Sequence, residues 1–343
     1  MKLLVCGGAG FIGSNFVRRR LSTTDDEIVV LDKLTYAGNR ANLAELEVDP
    51  GLANRLRFVR GDICAADLVR RLAPAADAVV NFAAESHVDR SVLDSAAFLR
   101  TGVEGVRVLL DALRDVRRPV RFVQVSTDEV YGPRPEGASA ETDPLLPSSP
   151  YAAAKAAGDL LVGAYHSTFG MDVVITRGSN TYGPHQHPEK LVALAITNAL
   201  SDLPVPIYGD GRQVRDWMHV DDHADAVAAV LDRGQTGSTY NVAAGEPRTN
   251  IDLVESLLAI AGKPHSLVRH VPDRPGHDRR YALDAGRISN LGWRPQVALS
   301  AGLASTVAWY QANVAWWRNA RAGDWDAYYE QQYGWRLSAS KPA

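Results

Sequence analysis

Short apolar runs alternate with amphipathic segments through the first half of the chain. The runs cover 3–6, 28–31, 56–59, 78–82, 120–125 and 173–176, and helical patterns lie between them. Continuously apolar strands separated by helices are typical of a parallel sheet that helices cover on both faces, with right-handed crossovers. The pattern therefore predicts an α/β fold with a Rossmann-type, doubly wound parallel sheet.

The second half of the chain has a different pattern, because prolines break it into short pieces after Arg177. This change predicts a smaller, loop-rich α/β lobe. Residues 221–231 have the pattern of a helix and 239–243 that of one more strand, so we expect the chain to return to the main sheet. We therefore expect the chain to form two domains. The sheet domain comprises 1–178 with 220–244, and the second lobe comprises 179–219 and 245–336. A frayed tail of 337–343 follows.

Composition narrows the classes of protein. With 343 residues and 46% hydrophobic content, the chain can bury a large core, and its net charge of −3 argues against a nucleic-acid partner. Cys6 and Cys64 are the only cysteines, which excludes a disulfide framework and favours a reducing compartment. Residues 1–6 are too short for a signal-peptide core, and no stretch approaches the length of a membrane span. We therefore expect a soluble cytoplasmic protein.

Three glycines follow the first predicted strand and open a predicted helix. They are Gly7, Gly10 and Gly13. Glycines permit a tight turn and a close approach of the backbone, and the free amides at the helix start attract a pyrophosphate. Because a strand precedes the glycines and a helix follows them, a dinucleotide site is favoured over a simple glycine-rich turn.

Asp32 lies nineteen residues after Gly13, at the end of the second apolar run. Its carboxylate can accept hydrogen bonds from the adenosine ribose and would repel a 2′-phosphate, so NAD is favoured over NADP. Lys33 weakens this argument, since a cation there tolerates the phosphate. Asp62 follows the third strand and either meets the adenine edge or caps a turn.

Five chemically active side chains stand close together along the chain: Thr127, Asp128, Glu129, Tyr151 and Lys155. Two carboxylates at the end of an apolar strand are unusual unless they are partnered or functional. Tyr151 and Lys155 share one helix face, so the ammonium can lower the pKa of the phenol and make it a general base. Taken singly, a helix cap, a surface carboxylate and an ordinary helical pair are the simpler explanations. Their combination with a dinucleotide site favours catalysis.

Together these features resemble the extended short-chain dehydrogenase/reductase superfamily and, most closely, its dTDP-glucose 4,6-dehydratase family. The resemblance spans nearly the whole chain, and the segments that carry it are Asp32–Asn39, Ala83–Ser91, Ser126–Gly132, Tyr182–Leu191, Arg215–Trp217 and Asp273–Asp278. It implies a hydro-lyase of deoxysugar biosynthesis that uses NAD to oxidise C4 of a nucleotide-linked glucose. The 4-ketone makes the C5 proton acidic, water leaves across C5 and C6, and hydride returns to C6.

The resemblance also implies a role for each of the five side chains. Tyr151 takes the C4 hydroxyl proton, helped by Lys155 and the positive nicotinamide, and Lys155 also holds the nicotinamide ribose. Thr127 stabilises charge on the C4 oxygen. Glu129 removes the C5 proton, and Asp128, kept protonated by its surroundings, protonates the departing C6 hydroxyl.

Two sets of binding residues follow from the same resemblance. The implied NAD-binding set is Gly7, Gly10, Phe11, Ile12, Gly13, Asp32, Lys33, Leu34, Thr35, Asp62, Ile63, Ala83, Ala84, Thr101, Tyr151 and Lys155. The implied substrate-binding set is Ser86, Thr127, Asn180, Glu189, Lys190, Leu191, Pro206, Tyr208, Arg215, Asn250, Arg274 and His277. Within it, Tyr208 is expected to stack on the base and Arg215 to pair with the diphosphate.

Other features limit or qualify this prediction. His185, His187 and His219 have no carboxylate or cysteine companions at ligand spacing, so no metal is expected. Thr181 and Gly102 depart from the family pattern, each standing where asparagine is usual.

The helices after Thr101 and Tyr151 resemble a dimer-forming pair, so a homodimer is expected. Another NAD-dependent nucleotide-sugar epimerase, decarboxylase or dehydratase is the main alternative, and a catalytically silent NAD-binding protein is a further one.

Overall fold

The central sheet has seven parallel strands in the computed structural model, which describes residues 1–323 and 325–342. Its strand order is β10-β6-β5-β4-β1-β2-β3. The strands are β1 (Lys2–Cys6), β2 (Glu27–Asp32), β3 (Leu56–Arg60), β4 (Ala78–Asn81), β5 (Arg121–Thr127), β6 (Val173–Gly178) and β10 (Thr239–Val242). The predicted doubly wound sheet is confirmed, and the predicted strand near 239–243 pairs with β6.

Helices cover both faces of this sheet and also build the second lobe. They are α1 (Phe11–Thr23), α2 (Ala44–Val48), α3 (Ala66–Leu72), α4 (Val88–Leu93), α5 (Ala96–Leu99), α6 (Val106–Arg114), α7 (Pro150–Phe169), α8 (Leu191–Leu200), α9 (Val220–Arg233), α10 (Asn250–Ile260), α11 (Gly286–Ser289), α12 (Leu299–Ala312), α13 (Val314–Ala320), α14 (Trp325–Tyr329) and α15 (Trp335–Ser338). Short 3₁₀ or π turns span Arg40–Leu43, Ala53–Arg55, Ala73–Ala75, Arg100–Gly105, Asp128–Tyr131, His265–Leu267 and Glu330–Gly334.

The strands alternate their side chains between two apolar layers. Leu3 and Val5 of β1 face the core under α1 and α9, whereas Leu4 and Cys6 face the core under α3 and α6. Both layers are closed to solvent, and Phe16 and Phe122 are fully buried within them. Burial of one such side chain stabilises the fold by about 1.5–3 kcal/mol. Two buried layers explain why the strands are apolar throughout rather than alternating with polar residues.

The second lobe contains two small sheets. One has the order β11-β9-β7 and the other β13-β12-β8. Their strands are β7 (Asn180–Tyr182), β8 (Val205–Tyr208), β9 (Val214–His219), β11 (Pro247–Thr249), β12 (Val268–Val271) and β13 (Lys341–Pro342). Helices α8, α10 and α12 pack together over a core that includes Tyr182 and Tyr310.

Two sequence-based expectations near the C-terminus need correction. The aromatic-rich stretch 309–317, which the sequence predicts to be one packing helix, is divided into two helices, because α12 ends at Ala312 and α13 begins at Val314. Its expected packing role is confirmed, since Tyr310 and Trp317 are buried. The tail 337–343 is not wholly frayed: Lys341 and Pro342 pair with β12, while Ala343 lies outside the described residues. Among the described helices, none has the length and apolar character that crossing a membrane requires.

Candidate active site

A deep cavity lies at the carboxyl ends of the central strands, between the sheet and the second lobe. Its walls combine the glycine turn after β1, the ends of β2, β4 and β5, the face of α7, and residues 178–181, 186–187 and 190–192. Ligands of doubly wound sheets bind at this edge. The cavity therefore lies where the sequence motifs predict the dinucleotide and the reacting sugar to meet.

The glycine turn fits a pyrophosphate because it leaves no room for side chains. A Cβ at Gly7 would lie 2.6 Å from the backbone nitrogen of Ala83, and a Cβ at Gly13 would lie 2.3 Å from the carbonyl oxygen of Gly7. Gly7 also has a φ of +74°, which other residues rarely adopt. Helix α1 begins directly after Gly10, so its first free amides face the cavity.

Asp32 anchors this turn as well as facing the cavity. Its Oδ2 accepts a 2.9 Å hydrogen bond from the amide of Ala9, and its Oδ1 accepts one of 2.8 Å from the amide of Leu34. Burial raises the pKa of Asp32, and these two bonds oppose the rise. A carboxylate held by two amides beside a pyrophosphate turn fits an adenosine ribose with a free 2′-hydroxyl.

Lys33, which weakened the preference for NAD, is held away from this position. Its Nζ lies 2.9 Å from Oδ2 of Asp62. Burial acts to raise the pKa of Asp62, but the hydrogen bonds from Cys64 and Lys33 outweigh it and lower the pKa. Lys33 therefore already has an anionic partner and is not free to receive a 2′-phosphate.

Thr127, Asp128 and Glu129 form the end of β5 and the turn that follows. Thr127 ends the strand and caps the turn, because its hydroxyl accepts the amide hydrogen of Glu129. The same hydroxyl lies 3.1 Å from Oδ1 of Asp128 and donates to it. All three residues line the cavity rather than facing bulk solvent.

The two carboxyl groups have different surroundings. Burial, reinforced by the charge of Glu129, raises the pKa of Asp128 to about 7. Burial also raises the pKa of Glu129, but the cations Arg274, Arg215 and Lys190 oppose that rise. Asp128 is thus partly protonated near neutral pH, as a proton donor must be, while Glu129 faces three positive charges that favour its ionised form.

Tyr151 and Lys155 lie one turn apart near the start of α7. The helix begins at Pro150, and the hydroxyl of Ser149 caps it by accepting the amide hydrogen of Ala152. Lys155 is buried, and its Nζ donates a 2.6 Å hydrogen bond to the carbonyl oxygen of Val125. Burial lowers the pKa of Lys155 to about 8, with Asp159 opposing the change.

The predicted effect of Lys155 on the phenol is not found in the chain by itself. Burial raises the pKa of Tyr151, and the charges of Glu129 and Asp128 raise it further. The ammonium of Lys155 is instead committed to the carbonyl of Val125. Sequence spacing places both side chains on one face of the helix, but it does not reveal the neighbouring carboxylates, whose effect on the phenol is opposite.

The predicted NAD-binding residues converge on the cavity with one exception. Leu34 does not line it and instead packs against the apolar core, so the predicted contact of Leu34 with NAD stays a prediction. The residues of this set that line the cavity are Gly7, Gly10, Phe11, Ile12, Gly13, Asp32, Lys33, Thr35, Asp62, Ile63, Ala83, Ala84, Thr101, Tyr151 and Lys155.

The predicted substrate-binding residues separate into two groups. Those that line the cavity are Ser86, Thr127, Asn180, Lys190 and Leu191. Those outside its wall are Glu189, Pro206, Tyr208, Arg215, Asn250, Arg274 and His277. Arg215 and Arg274 belong to the second group. Their positive charges oppose the rise in the pKa of Glu129, so they lie close to the carboxylates of Asp128 and Glu129 on the side of the second lobe.

Glu189 and Tyr208 have protein partners that the sequence did not indicate. Glu189 is buried and its Oε2 accepts a 2.9 Å hydrogen bond from Nε of Arg90, while its contact with substrate stays a prediction. The hydroxyl of Tyr208 donates to Oδ2 of Asp89 over 2.8 Å, and its ring meets the His277 imidazole edge-on at 5.8 Å. Tyr208 is therefore part of a network rather than an isolated platform for a base.

Tyr281 is a site residue that the sequence analysis missed. Its ring lies 4.4 Å from the guanidinium carbon of Arg215, and its hydroxyl donates to the carboxylate of Asp278. Burial raises the pKa of Tyr281, and the charge of Glu129 adds to the rise. Its position three residues after the Asp273–Asp278 segment was the only signal available in the sequence.

The two departures from the family pattern each have a local explanation. Thr181 pairs with a buried histidine, because its Oγ1 lies 2.8 Å from Nδ1 of His223. At Gly102 a Cβ would lie 3.2 Å from the Cβ of Ala154, so the π turn packs closely on α7 and a side chain there would require a small shift of the neighbouring helix. Both substitutions change packing at the edge of the cavity and leave Thr127, Asp128 and Glu129 untouched.

The three histidines noted in the sequence do not meet. His185 packs against Trp309, His187 against Tyr36 and Trp325, and His219 against Tyr182. Within residues 1–323 and 325–342, no group of three or more histidine, cysteine, aspartate or glutamate side chains is arranged to hold a metal ion.

Comparison with known proteins adds independent information. The family model described as GDP-mannose 4,6 dehydratase matches residues 4–306. A dTDP-glucose 4,6-dehydratase of Streptomyces niveus is 51% identical over 330 residues, which cover 94% of this chain and 97% of that protein. One from Shigella flexneri is 44% identical over 361 aligned positions, which cover 97% of this chain and 99% of that protein.

Solved structures give the same result. DesIV, a dTDP-glucose 4,6-dehydratase from Streptomyces venezuelae with NAD and TYD bound, is 52% identical with a TM-score of 0.90, covering 93% of this chain and 100% of that one. A UDP-glucose 4-epimerase from Thermus thermophilus in complex with NAD is 34% identical with a TM-score of 0.83, covering 91% and 100%. The fold is thus shared with both dehydratases and epimerases, so the catalytic residues must separate the two.

Proposed function

This chain belongs to the dTDP-glucose 4,6-dehydratase family, and from that premise we propose that it converts dTDP-glucose into dTDP-4-keto-6-deoxyglucose with NAD as its cofactor. One observation carries the proposal. Asp128 and Glu129, adjacent in sequence, both line the cavity that Tyr151 and Lys155 also line. An elimination across C5 and C6 needs a base for the C5 proton and an acid for the departing C6 hydroxyl, in addition to the base that takes the C4 hydroxyl proton. An epimerisation at C4 needs only the group at C4.

The residues at the glycine turn fit NAD. The turn accommodates a pyrophosphate, Asp32 faces the ribose position, and Lys33 is paired with Asp62. When bound, NAD accepts a hydride from C4 and returns it to C6, so the net reaction is a loss of water. Lys155, whose ammonium lies at the carbonyl of Val125, holds the nicotinamide ribose beside the phenol of Tyr151.

The chain's own residues then move three protons. Tyr151 removes the proton of the C4 hydroxyl, and Thr127 donates a hydrogen bond to the C4 oxygen when negative charge forms there. Glu129 removes the C5 proton, which the 4-ketone has made acidic, and gives a proton back to C5 when hydride adds to C6. Asp128 gives its proton to the departing C6 hydroxyl, and its pKa of about 7 suits that transfer.

The sugar nucleotide extends from the cavity into the second lobe. Arg215 and Arg274 are the guanidinium groups whose charges oppose the rise in the pKa of Glu129, and they can pair with the diphosphate. In the division of labour that we propose, residues 1–178 with 220–244 bind NAD, and residues 179–219 with 245–336 bind the sugar nucleotide. The two thiols, Cys6 and Cys64, are both free, which supports a reducing compartment such as the cytoplasm as the place of action.

A homodimer is part of the same proposal. Leu99 at the end of α5 and Leu160 and Phe169 on α7 are large apolar side chains that are 49%, 64% and 49% exposed. Packing of these helices against their copies would cover the exposed side chains. Light scattering of the purified protein, compared with a Leu160→Lys variant, tests this part independently of activity. A wild-type monomer would contradict it.

The decisive experiment for the activity is incubation of the purified protein and NAD with dTDP-glucose. A product lighter by one water, with the absorbance of a 4-keto-6-deoxy sugar in base, is expected. UDP-glucose serves as the matched control for the base. A product of unchanged mass with inverted C4 would instead identify an epimerase, and no reaction with either sugar nucleotide would favour the catalytically silent alternative.

A further inference from the structure

The C-terminal segment 325–338 packs against residues that are expected to bind the nucleotide. It consists of α14, a π turn over Glu330–Gly334, and α15. The match to the family model ends at residue 306, well before this segment begins. Neither the catalytic motifs nor the binding motifs include any residue of the segment.

Gln332 contacts the nucleotide-binding region through the carboxylate of Asp89 and the hydroxyl of Tyr208. Its side chain is buried, and its Nε2 donates a 2.9 Å hydrogen bond to Oδ2 of Asp89. The same oxygen accepts a 2.8 Å hydrogen bond from the hydroxyl of Tyr208, and Oδ1 of Asp89 lies 3.4 Å from Nη1 of Arg274. Nε2 of Gln332 also donates a hydrogen bond directly to the hydroxyl of Tyr208, so Gln332 contacts Tyr208 itself and is one contact away from Arg274.

Tyr333 holds the ring of Tyr208. The two rings are stacked, with centroids 5.9 Å apart and an interplanar angle of 28°. The guanidinium of Arg336 lies 5.6 Å from the centroid of the Tyr208 ring. Tyr208 is therefore fixed at its hydroxyl by Asp89 and at its ring by the C-terminal segment. A side chain that is fixed before binding loses less entropy when the ligand arrives.

Asp89 needs the hydrogen bond from Gln332 because it is a buried charge. Burial acts to raise the pKa of Asp89, but the charges of His87 and Arg274 and the bond from Tyr208 outweigh it and lower the pKa. A buried carboxylate that loses a donor is destabilised unless another donor replaces it. Without Gln332, Arg274 is the nearby cation that can turn toward Asp89 and away from the diphosphate.

A third contact ties the segment to the same helix, α4. The guanidinium of Arg90 lies 4.0 Å from the ring centroid of Tyr328 and 4.1 Å from that of Tyr36. Asp89 and Arg90 are consecutive residues, so the segment holds one turn of α4 at two neighbouring points. Among the described residues, no hydrogen bond joins the segment to Thr127, Asp128 or Glu129.

We propose that the C-terminal segment completes the nucleotide subsite, with Gln332 and Tyr333 as positioning residues for the nucleoside diphosphate. They act through Asp89, Arg274 and Tyr208, and they do not take part in the chemical steps. The inference rests on the proposed function, since it concerns how the same substrate is held. It predicts that changes in the segment alter the KM for the sugar nucleotide and leave kcat nearly unchanged.

The test compares Gln332→Ala with Gln331→Ala in the holoenzyme. Gln331 is the matched control because it is the same residue type, one position away, and exposed. The Gln332→Ala variant should raise the KM for dTDP-glucose about tenfold, the effect of one hydrogen bond to a charged group, with kcat within about twofold. The Kd of dTDP, measured by calorimetry, should weaken by the same factor. Gln331→Ala should match the wild type.

A second variant separates positioning from folding. Tyr333→Leu keeps an apolar side chain in the buried site but removes the stacked ring, and it should also raise the KM and the Kd of dTDP. Retained NAD and the melting temperature are measured for each variant. Any one of three results would overturn the inference. The first is an unchanged KM in both variants, and the second is an equal loss in Gln331→Ala and Gln332→Ala. The third is a fall in kcat and NAD retention without a change in dTDP binding. A wild-type protein that neither binds dTDP nor dehydrates dTDP-glucose would instead contradict the proposed function.

Discussion

The hydroxyl of Thr127 donates a hydrogen bond to Oδ1 of Asp128 across 3.1 Å, although the two residues are consecutive. The end of β5 turns into a 3₁₀ helix at this point, which brings both side chains to the same wall of the cavity. The group that we propose to stabilise charge at C4 and the acid that we propose for C6 are thereby held together. Because the two neighbouring side chains are assigned to different carbons of the sugar, replacing them one at a time separates the chemical steps.

Replacing Asp128 by Asn should slow elimination more than oxidation at C4. Asparagine is close in size to the acid but cannot supply a proton to the C6 hydroxyl, so we expect a loss of about 10²–10⁴-fold in the elimination step. Rapid-quench mass spectrometry of the sugar nucleotide, together with the near-ultraviolet absorbance of the reduced cofactor, separates the two steps. An equal loss in both would contradict the role given to Asp128.

The pH dependence should show the ionisation of Asp128. Its pKa is raised to about 7, and the acid form is the active one, so the elimination rate should fall with rising pH above about 7. Lys155, whose pKa is lowered to about 8, should contribute a second loss at higher pH as it becomes neutral. A kcat profile of the wild type beside Asp128→Asn checks this assignment. The lower of the two ionisations should disappear in the variant, and its persistence would exclude Asp128.

Replacing Tyr151 by Phe should abolish oxidation at C4 while NAD stays bound. The variant keeps the ring packing against Phe98 but has no hydroxyl to take the C4 proton, so a loss of about 10²–10⁴-fold is expected. Tyr165→Phe is the matched control, since Tyr165 lies on the same helix with its hydroxyl bonded to Asp111. Turnover and bound NAD are measured for both. Loss of activity in the control, or full activity in Tyr151→Phe, would refute the assignment.

Glu129→Gln should stop exchange of the C5 hydrogen with solvent. The amide resembles the carboxylate in shape but is not a base, so the proton should stay on C5 even after C4 is oxidised. Deuterium incorporation from D₂O into product and recovered substrate measures the step directly. Glu136→Gln, an exposed carboxylate not far along the chain, is the control and should exchange normally. Continued deuterium uptake in Glu129→Gln would assign the base elsewhere.

Lys33→Ala should leave the preference for NAD over NADP within about twofold of the wild type, because Lys33 is already paired with Asp62. Asp32→Asn should lower that preference about tenfold by removing the charge that repels a 2′-phosphate. Calorimetric titration of each protein with both dinucleotides provides the ratio. A strong change in Lys33→Ala would mean that the pair with Asp62 opens when the cofactor binds.

Much of the fold could be predicted because its signals are local. Apolar runs of strand length, separated by helical patterns, define a parallel sheet once both faces must be covered, and β10 was placed correctly from the same signal. The glycine turn and the acid–base cluster were also found in advance, since each is a short stretch whose chemistry depends on adjacent residues. Errors arose at element ends, such as the break at Asn313 within the aromatic stretch.

The sequence by itself therefore determined the sheet and the glycine turn, and it predicted which residues act as acid and base. Only the tertiary structure decided which groups surround them: Glu189 pairs with Arg90, Lys155 bonds to Val125, and Gln332 reaches Asp89 from 243 positions away. Periodicity and spacing report on neighbours along the chain. Burial, pKa and the contacts of a distant segment depend on how whole elements pack, and that packing is set by the summed interactions of the entire core.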